Sequence, residues 1–239
     1  MSDALRIKPA GDSALVVEFE ERIDPAVSAR VLDLDRAITE AGLPGVLETL
    51  PTYRTLLVRL DPLAADAETL AARISVLAAS ARGDARPGRL WRIPVGYGGA
   101  LGEDLEDVAR ARDLTTDEVV RLHAGAVYHV YMLGFVPGFV YLGGLDERLH
   151  ISRRVNPRLK VPAGTISIGG QQAAVQSIEA PSGWHILGRT PVRVFDMRRA
   201  DPFLIRPGER VTFRPVAAAE FERLAALAQR GEIVAEAES

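Results

Sequence analysis

The sequence predicts a small α+β domain followed by a mainly-β barrel. Three observations carry this prediction. Strand-like and helix-like segments alternate over roughly the first 80 residues. A polar, turn-rich stretch, Gly83-Asp84-Ala85-Arg86-Pro87-Gly88, then interrupts the pattern. Beyond it, most of the chain to residue 215 reads as short strands broken by Gly and Pro. The predicted organisation is an α+β sandwich over 1–82, a linker at 83–88, a barrel over 89–216, and a closing helix and tail over 217–239.

Residues 5–19 read as two strands around the turn Gly11-Asp12-Ser13. Asp24-Pro25 has the form of a helix N-cap with proline at the first helical position, and Val27, Val31, Leu34 and Ile38 repeat at helical spacing. A helix over 25–41 follows, ended by Gly42. Val46–Leu50 and Thr55–Leu60 are strand-like. Asp66 opens a second helix with Leu70, Ile74 and Leu77 on one face. After the linker, Trp91–Tyr97 reads as a strand, followed by helices near 103–112 and 115–124. Strands are predicted at 126–133, 165–169, 173–178, 184–188, 192–196 and 211–215, then a helix over 217–230 and a frayed, Glu-rich end.

Composition excludes several functions. The 239 residues include no cysteine, so disulfides, thiolate metal sites and cysteine nucleophiles are ruled out. Four histidines make a multi-histidine metal centre unexpected, and no metal is assigned. No apolar run reaches the ~20 residues of a membrane helix, and the first residues lack a basic-then-apolar leader, so a cytoplasmic location is expected. The net charge of −3 argues against general nucleic-acid binding. Residues 107–119 resemble a helix-turn-helix, yet 103–118 carry seven acids and two arginines and would repel phosphate. Charge is uneven, however: residues 152–215 carry 11 basic and 4 acidic side chains. Such a stretch either focuses an anionic ligand or is simply a solvated surface.

Three segments carry candidate chemistry. In 129–144, Pro137-Gly138 sets a tight turn that draws Phe135, Phe139 and Tyr141 together, as a pocket wall or as buried core. In 153–165, Arg153, Arg154, Arg158 and Lys160 place four cations in eight residues around Pro157. Guanidinium forks match carboxylate or phosphate oxygens. The third segment joins Gly169-Gly170-Gln171-Gln172 to Pro181-Ser182-Gly183-Trp184-His185 and Gly188-Arg189. Its Gln amides can hold an amide or lactam without charge. His129 and His185 can move protons near neutral pH or serve structure. No P-loop, GxGxxG, G-x-S-x-G or HExxH pattern is present, so no autonomous ATP site is expected.

Together these segments resemble one family. Phe135-Val136-Pro137-Gly138-Phe139-Val140-Tyr141-Leu142, Pro157-Arg158, Val161-Pro162-Ala163-Gly164-Thr165, Gly170-Gln171, Pro181-Ser182-Gly183-Trp184 and Gly188-Arg189-Thr190-Pro191 are similar in order and spacing to the KipI / 5-oxoprolinase B-subunit (PxpB) family, also called allophanate hydrolase subunit 1, of the carboxyltransferase-domain superfamily. Gly11-Asp12-Ser13-Ala14 and Pro207-Gly208-Glu209-Arg210-Val211-Thr212-Phe213 extend the likeness over about residues 5–216. The family's Thr-Gly-(Ile/Val)-Tyr-Pro is replaced by Ala173-Ala174-Val175-Gln176-Ser177.

The resemblance implies a cyclophilin-like barrel for the second domain and two partners. One is a cyclophilin-like C-subunit of the KipA/PxpC type, the other an A-subunit of the PxpA type. It implies ATP-dependent cleavage of 5-oxoproline to L-glutamate by the three together, with ATP used by the complex and little activity in this chain by itself. On that reading, Arg154, Arg158 or Lys160 grips the substrate carboxylate or a phosphoryl group. Gln171 and Gln172 bind the lactam or its developing oxyanion, and His129 moves a proton. Phe135, Pro137, Gly138, Tyr141, Gly164, Gly183, Trp184 and Arg189 complete the substrate site. Two further activities are implied by relatives: biotin-dependent carboxyl transfer to urea or another amide, and inhibition of a histidine kinase.

Overall fold

The structure, a computed structural model, describes residues 5–83 and 88–238 and divides into two units, residues 1–87 and 88–239. Residues 84–87 of the predicted linker lie outside the described residues.

In the first unit, β1 (Arg6–Pro9) and β2 (Ala14–Glu18) form an antiparallel hairpin. Helix α1 (Pro25–Ala41) begins where the Asp24 carboxylate accepts the Ala26 N–H at 2.7 Å, and ends at Gly42, whose φ of 53° provides the left-handed cap. Strands β3 (Val46–Pro51) and β4 (Thr55–Leu60) follow, then α2 (Ala67–Ser80), capped by Asp66 on the Thr69 N–H. The sheet runs β1-β2-β4-β3, entirely antiparallel. Its buried residues Leu15, Val17, Leu56 and Val58 join Leu34, Ile38, Leu70 and Ile74 of the helices in one core.

The second unit contains β5 (Leu90–Tyr97), α3 (Leu105–Ala111), α4 (Thr116–Gly125), β6 (Tyr128–Leu133), β7 (Val140–Gly143), β8 (Arg158–Val161), β9 (Thr165–Gly169), β10 (Gln172–Val175), β11 (Ala180–Ser182), β12 (His185–Arg189), β13 (Arg210–Pro215), α5 (Ala218–Gln229) and β14 (Glu236–Glu238). Seven strands close a mixed barrel in the order β12-β9-β10-β7-β6-β13-β5, with β5 returning to β12. The β13–β5 pair is parallel, and the other barrel pairs are antiparallel. At the closing seam a Cβ on Gly188 would lie 2.5 Å from the Gly96 carbonyl oxygen, so the strands meet only because no side chain stands there. Ile93, Val95, Val130, Leu142, Ile166 and Val211 belong to the buried core.

Several sequence expectations fail. Residues 192–196 form no strand: only Phe195 makes an isolated bridge, to Phe203. The cause is local. The Val192 N–H turns back to the Thr190 hydroxyl, and the Asp196 N–H donates to the Pro202 carbonyl, folding 190–204 into a compact loop. The Glu-rich end does not fray either. Residues 236–238 pair with Leu90–Arg92 of β5, and Arg92 bonds Glu238 at 2.7 Å. The strand expected over 173–178 stops at Val175, and β7, β8 and β11 lie where the sequence predicts only irregular chain.

Candidate functional site

The β6–β7 hairpin, the 153–157 loop and residues 181–184, which run from β11 to the residue before β12, enclose an open cleft of about 440 Å³. Its floor is the Trp184 indole, 6% exposed, which lies against Gly169: a Cβ there would come within 2.9 Å of the ring. Phe139 and Tyr141 both stand edge-on to that indole, with centroids 6.2 and 6.1 Å away. Phe135 meets Phe139 edge-on at 5.9 Å and forms part of the rim. Arg153 lies over the Trp184 ring, its guanidinium carbon 5.5 Å from the centroid, and Arg154 lines the same space.

Behind the cleft sits an ionic node that the motifs do not reveal. Asp104, just before α3, is only 2% exposed. Its carboxylate accepts both terminal nitrogens of Arg158 at 2.8 Å, Nη1 of Arg154 at 2.8 Å and the Ile186 N–H at 2.8 Å. Burial alone would push this carboxyl up. The Arg158 hydrogen bonds, the Ile186 N–H and the two guanidinium charges outweigh burial and hold it below the usual range. Arg158 is therefore satisfied internally, with Glu103 as a second acid at 3.3 Å. The 152–158 loop is tied down twice more: the Arg154 N–H donates to the Gly183 carbonyl, and His185 Nε2 donates to the Ser152 carbonyl at 2.9 Å.

Of the residues singled out in the sequence, the cleft gathers Phe135, Tyr141, Arg154, Gly183 and Trp184. Pro137 and Gly138 shape the hairpin tip rather than line the cleft. The Pro137 carbonyl accepts the Ser177 hydroxyl at 2.6 Å, and Gly138 backs onto Phe195. Lys160 projects into solvent, 80% exposed, 3.4 Å from Glu179. Gln171 occupies the exposed β9–β10 turn, and Gln172 starts β10 opposite Gly169. His129 sits three residues before Met132, the strand partner of Tyr141, and pairs instead with Gly143 and Arg210. Burial lowers its pKa, and its ring packs edge-on to Tyr131. Gly164 is a backbone joint linking Gln176 and Thr190, and Arg189 reaches the Ala163 carbonyl.

Arg153 and Phe139 stand within the motifs, yet the resemblance assigns neither to the substrate site. Asp104 is hidden inside an acidic run. His123, fully buried, bonds the Tyr97 hydroxyl through Nδ1 at 2.7 Å and stacks on Phe213; burial lowers its pKa to about 3, so it is a neutral core residue. Among the described residues no group of three or more His, Asp or Glu is placed to hold a metal ion, and no helix is long and apolar enough to cross a membrane.

Residues 5–205 match the carboxyltransferase domain, subdomain C and D. The chain belongs to this family. Within it, the chain is 34% identical to the 5-oxoprolinase B-subunit of Bacillus subtilis (strain 168) over 89% of its length and 93% of that protein. It is 39% identical to the 5-oxoprolinase B-subunit of Escherichia coli O157:H7 over 86% of its length and 93% of that protein. Its fold is shared with urea carboxylase of Kluyveromyces lactis at a TM-score of 0.78 and 19% identity, covering 98% of this chain and 24% of that larger one. Further solved relatives, 33% or 34% identical with TM-scores of 0.76 or 0.77, are spanned over 40% of their length. The family match ends at 205, so β13, which completes the barrel, lies beyond it.

Proposed function

We propose that this chain is the B-subunit of an ATP-dependent 5-oxoprolinase, which works with an A-subunit and a C-subunit to convert 5-oxo-L-proline to L-glutamate. The observation that carries the reading is the cleft. It sets aromatic faces beside guanidinium groups, the pairing a small ring bearing a carboxylate requires. The names of the relatives point to the same substrate.

A lactam is a stable amide, so its opening needs activation. The amide oxygen takes the terminal phosphoryl group of ATP and water adds to the lactam carbon. The C–N bond breaks as nitrogen takes a proton, leaving an acyl phosphate, which a second water hydrolyses to glutamate and phosphate. In this chain the aromatic walls hold the ring beside the guanidinium groups that line the cleft, and Asp104 fixes Arg154 and Arg158 in the wall behind it. Gln171, Gln172 and His129 lie outside the cleft lining, so their roles in lactam binding and proton transfer require a partner protein to complete the site. Nucleotide use belongs to the assembly, because this sequence holds no phosphate-binding loop. The same cyclophilin-like barrel then serves as one half of a shared site, and the isolated protein is inactive.

The test is reconstitution with the neighbouring A- and C-subunits, measuring ATP-dependent glutamate release from 5-oxoproline with each component omitted in turn. Glutamate from the full set only is the expected result. A well-folded three-component complex that releases none refutes the reading.

A further inference from the structure

Phe135 combines two features that stability alone does not favour. It is one of two described non-glycine residues with positive φ, at 67°. The Val136 N–H donates to the Gly134 carbonyl at 2.8 Å, closing a three-residue turn around it. That left-handed turn is rare and strained for a residue bearing a Cβ. The aromatic side chain it presents is 65% exposed. A strained backbone holding an apolar ring in water at the rim of a cleft is a configuration that ligand contact explains.

Arg153 is its counterpart on the other side. It is exposed, has no acidic partner among the described residues, and rests on the Trp184 ring inside the cleft. Its neighbours Arg154 and Arg158 share Asp104, with Glu103 also beside Arg158. Two acids and two cations balance there, and Arg153 is left in the cleft as the cation without an acidic partner among the described residues.

We infer that Phe135 and Arg153 form a two-part specificity clamp, Phe135 covering the face of a small planar ring and Arg153 binding a carboxylate attached to that ring. The clamp deepens the proposed function and rests on it only for the identity of the ring. Phe135 touches Phe139 and Arg153 rests on Trp184, but both residues are exposed, so each can be removed with little loss of buried contact. Phe135→Gly also relieves the positive φ, which offsets the added freedom of the unfolded chain.

The experiment follows the two tryptophan indole N–H resonances of the full chain, by itself and in complex with the A- and C-subunits. Trp184 reports on the cleft, and Trp91, buried in the core, is the internal control. The probes are 5-oxoproline, 2-pyrrolidinone and benzoate. The expected result is a saturable shift of Trp184 but not Trp91 with a carboxylate-bearing ring. Phe135→Gly and Arg153→Gln should each weaken it about tenfold or more, the range expected for loss of a ring contact or a charge-assisted hydrogen bond. The thermal midpoint of Phe135→Gly should not fall. Wild-type affinity in both variants overturns the clamp, as does binding of 2-pyrrolidinone as tight as that of 5-oxoproline. Absence of any Trp184 shift, in the isolated protein and in the complex, also overturns it. A benzoate response without a 5-oxoproline response upholds the clamp and sinks the 5-oxoprolinase reading. An active complex whose KM is unchanged by both variants upholds the reading and sinks the clamp.

Discussion

Residues 153–160 carry four cations, and the fold uses them in two different ways. Arg154 and Arg158 turn inward onto Asp104, where every oxygen of a buried carboxylate is engaged. Arg153 and Lys160 turn outward, one onto an aromatic ring and the other beside an exposed glutamate. The sequence spacing is nearly the same, but the consequences are not. A cation near a pocket is available to a ligand only if no buried acid has already claimed it. The inward pair ties the cleft wall to a buried carboxylate, and the outward Arg153 has no acidic partner among the described residues.

The inward half should respond most strongly to mutation. Asp104→Ala leaves two guanidinium groups facing each other in a partly buried space and removes the acceptor of the Ile186 N–H. Breaking a buried pair by deleting one partner costs about 3–5 kcal/mol. Equilibrium denaturation of the full chain should show a loss of that size. A loss below about 1 kcal/mol, the value of an ordinary surface pair, would erase the distinction between the two halves.

Acid titration sharpens the same contrast. The Asp104 carboxyl titrates below its ordinary value in the folded chain, so on acidification the unfolded chain takes up the proton first. Its contribution is complete above the usual aspartate range, near pH 4. It is lost as the pH falls through the lower folded value. The stability gap between the wild type and Asp104→Asn should therefore be constant from about pH 7 to 5 and close below about pH 4. A gap that does not narrow would mean that the carboxylate charge is not what the node relies on.

The parts of the molecule set by local chemistry are legible in the sequence. Asp24 and Asp66 cap the helices they are expected to open, and β9 spans Thr165–Gly169 as its apolar pattern predicts. What escapes is settled by distant partners. β14 is Glu-rich and has no strand pattern of its own. It forms because β12 meets β5 only at Gly96 and Tyr97, leaving Leu90–Arg92 open to residues 236–238. Conversely, Val192-Arg193-Val194 alternates like a strand, but Pro191 and the Asp196 turn bend the chain away. The site divides in the same way. Aromatics joined by a tight turn are found from their motif, whereas the pairing of Arg154 and Arg158 is not, because Asp104 lies 50 and 54 positions from them. Only the folded barrel shows which charges are already matched.

The smallest expected effect falls on the last of the four cations. Lys160 is attractive in the sequence because it is one of only two lysines among 29 basic residues. In the fold it stands on β8, 80% exposed, with Glu179 at 3.4 Å. An ion pair so open to water is screened and must also order a long side chain, so Lys160→Ala should change unfolding free energy by no more than about 0.5 kcal/mol. Denaturation in low and high salt checks this directly. If the loss approaches that of Asp104→Ala, exposure is a poor guide to how this stretch uses its charge. If it is near zero, the difference between inward and outward cations holds at both ends of the same eight residues, and burial of the partner acid is what separates them.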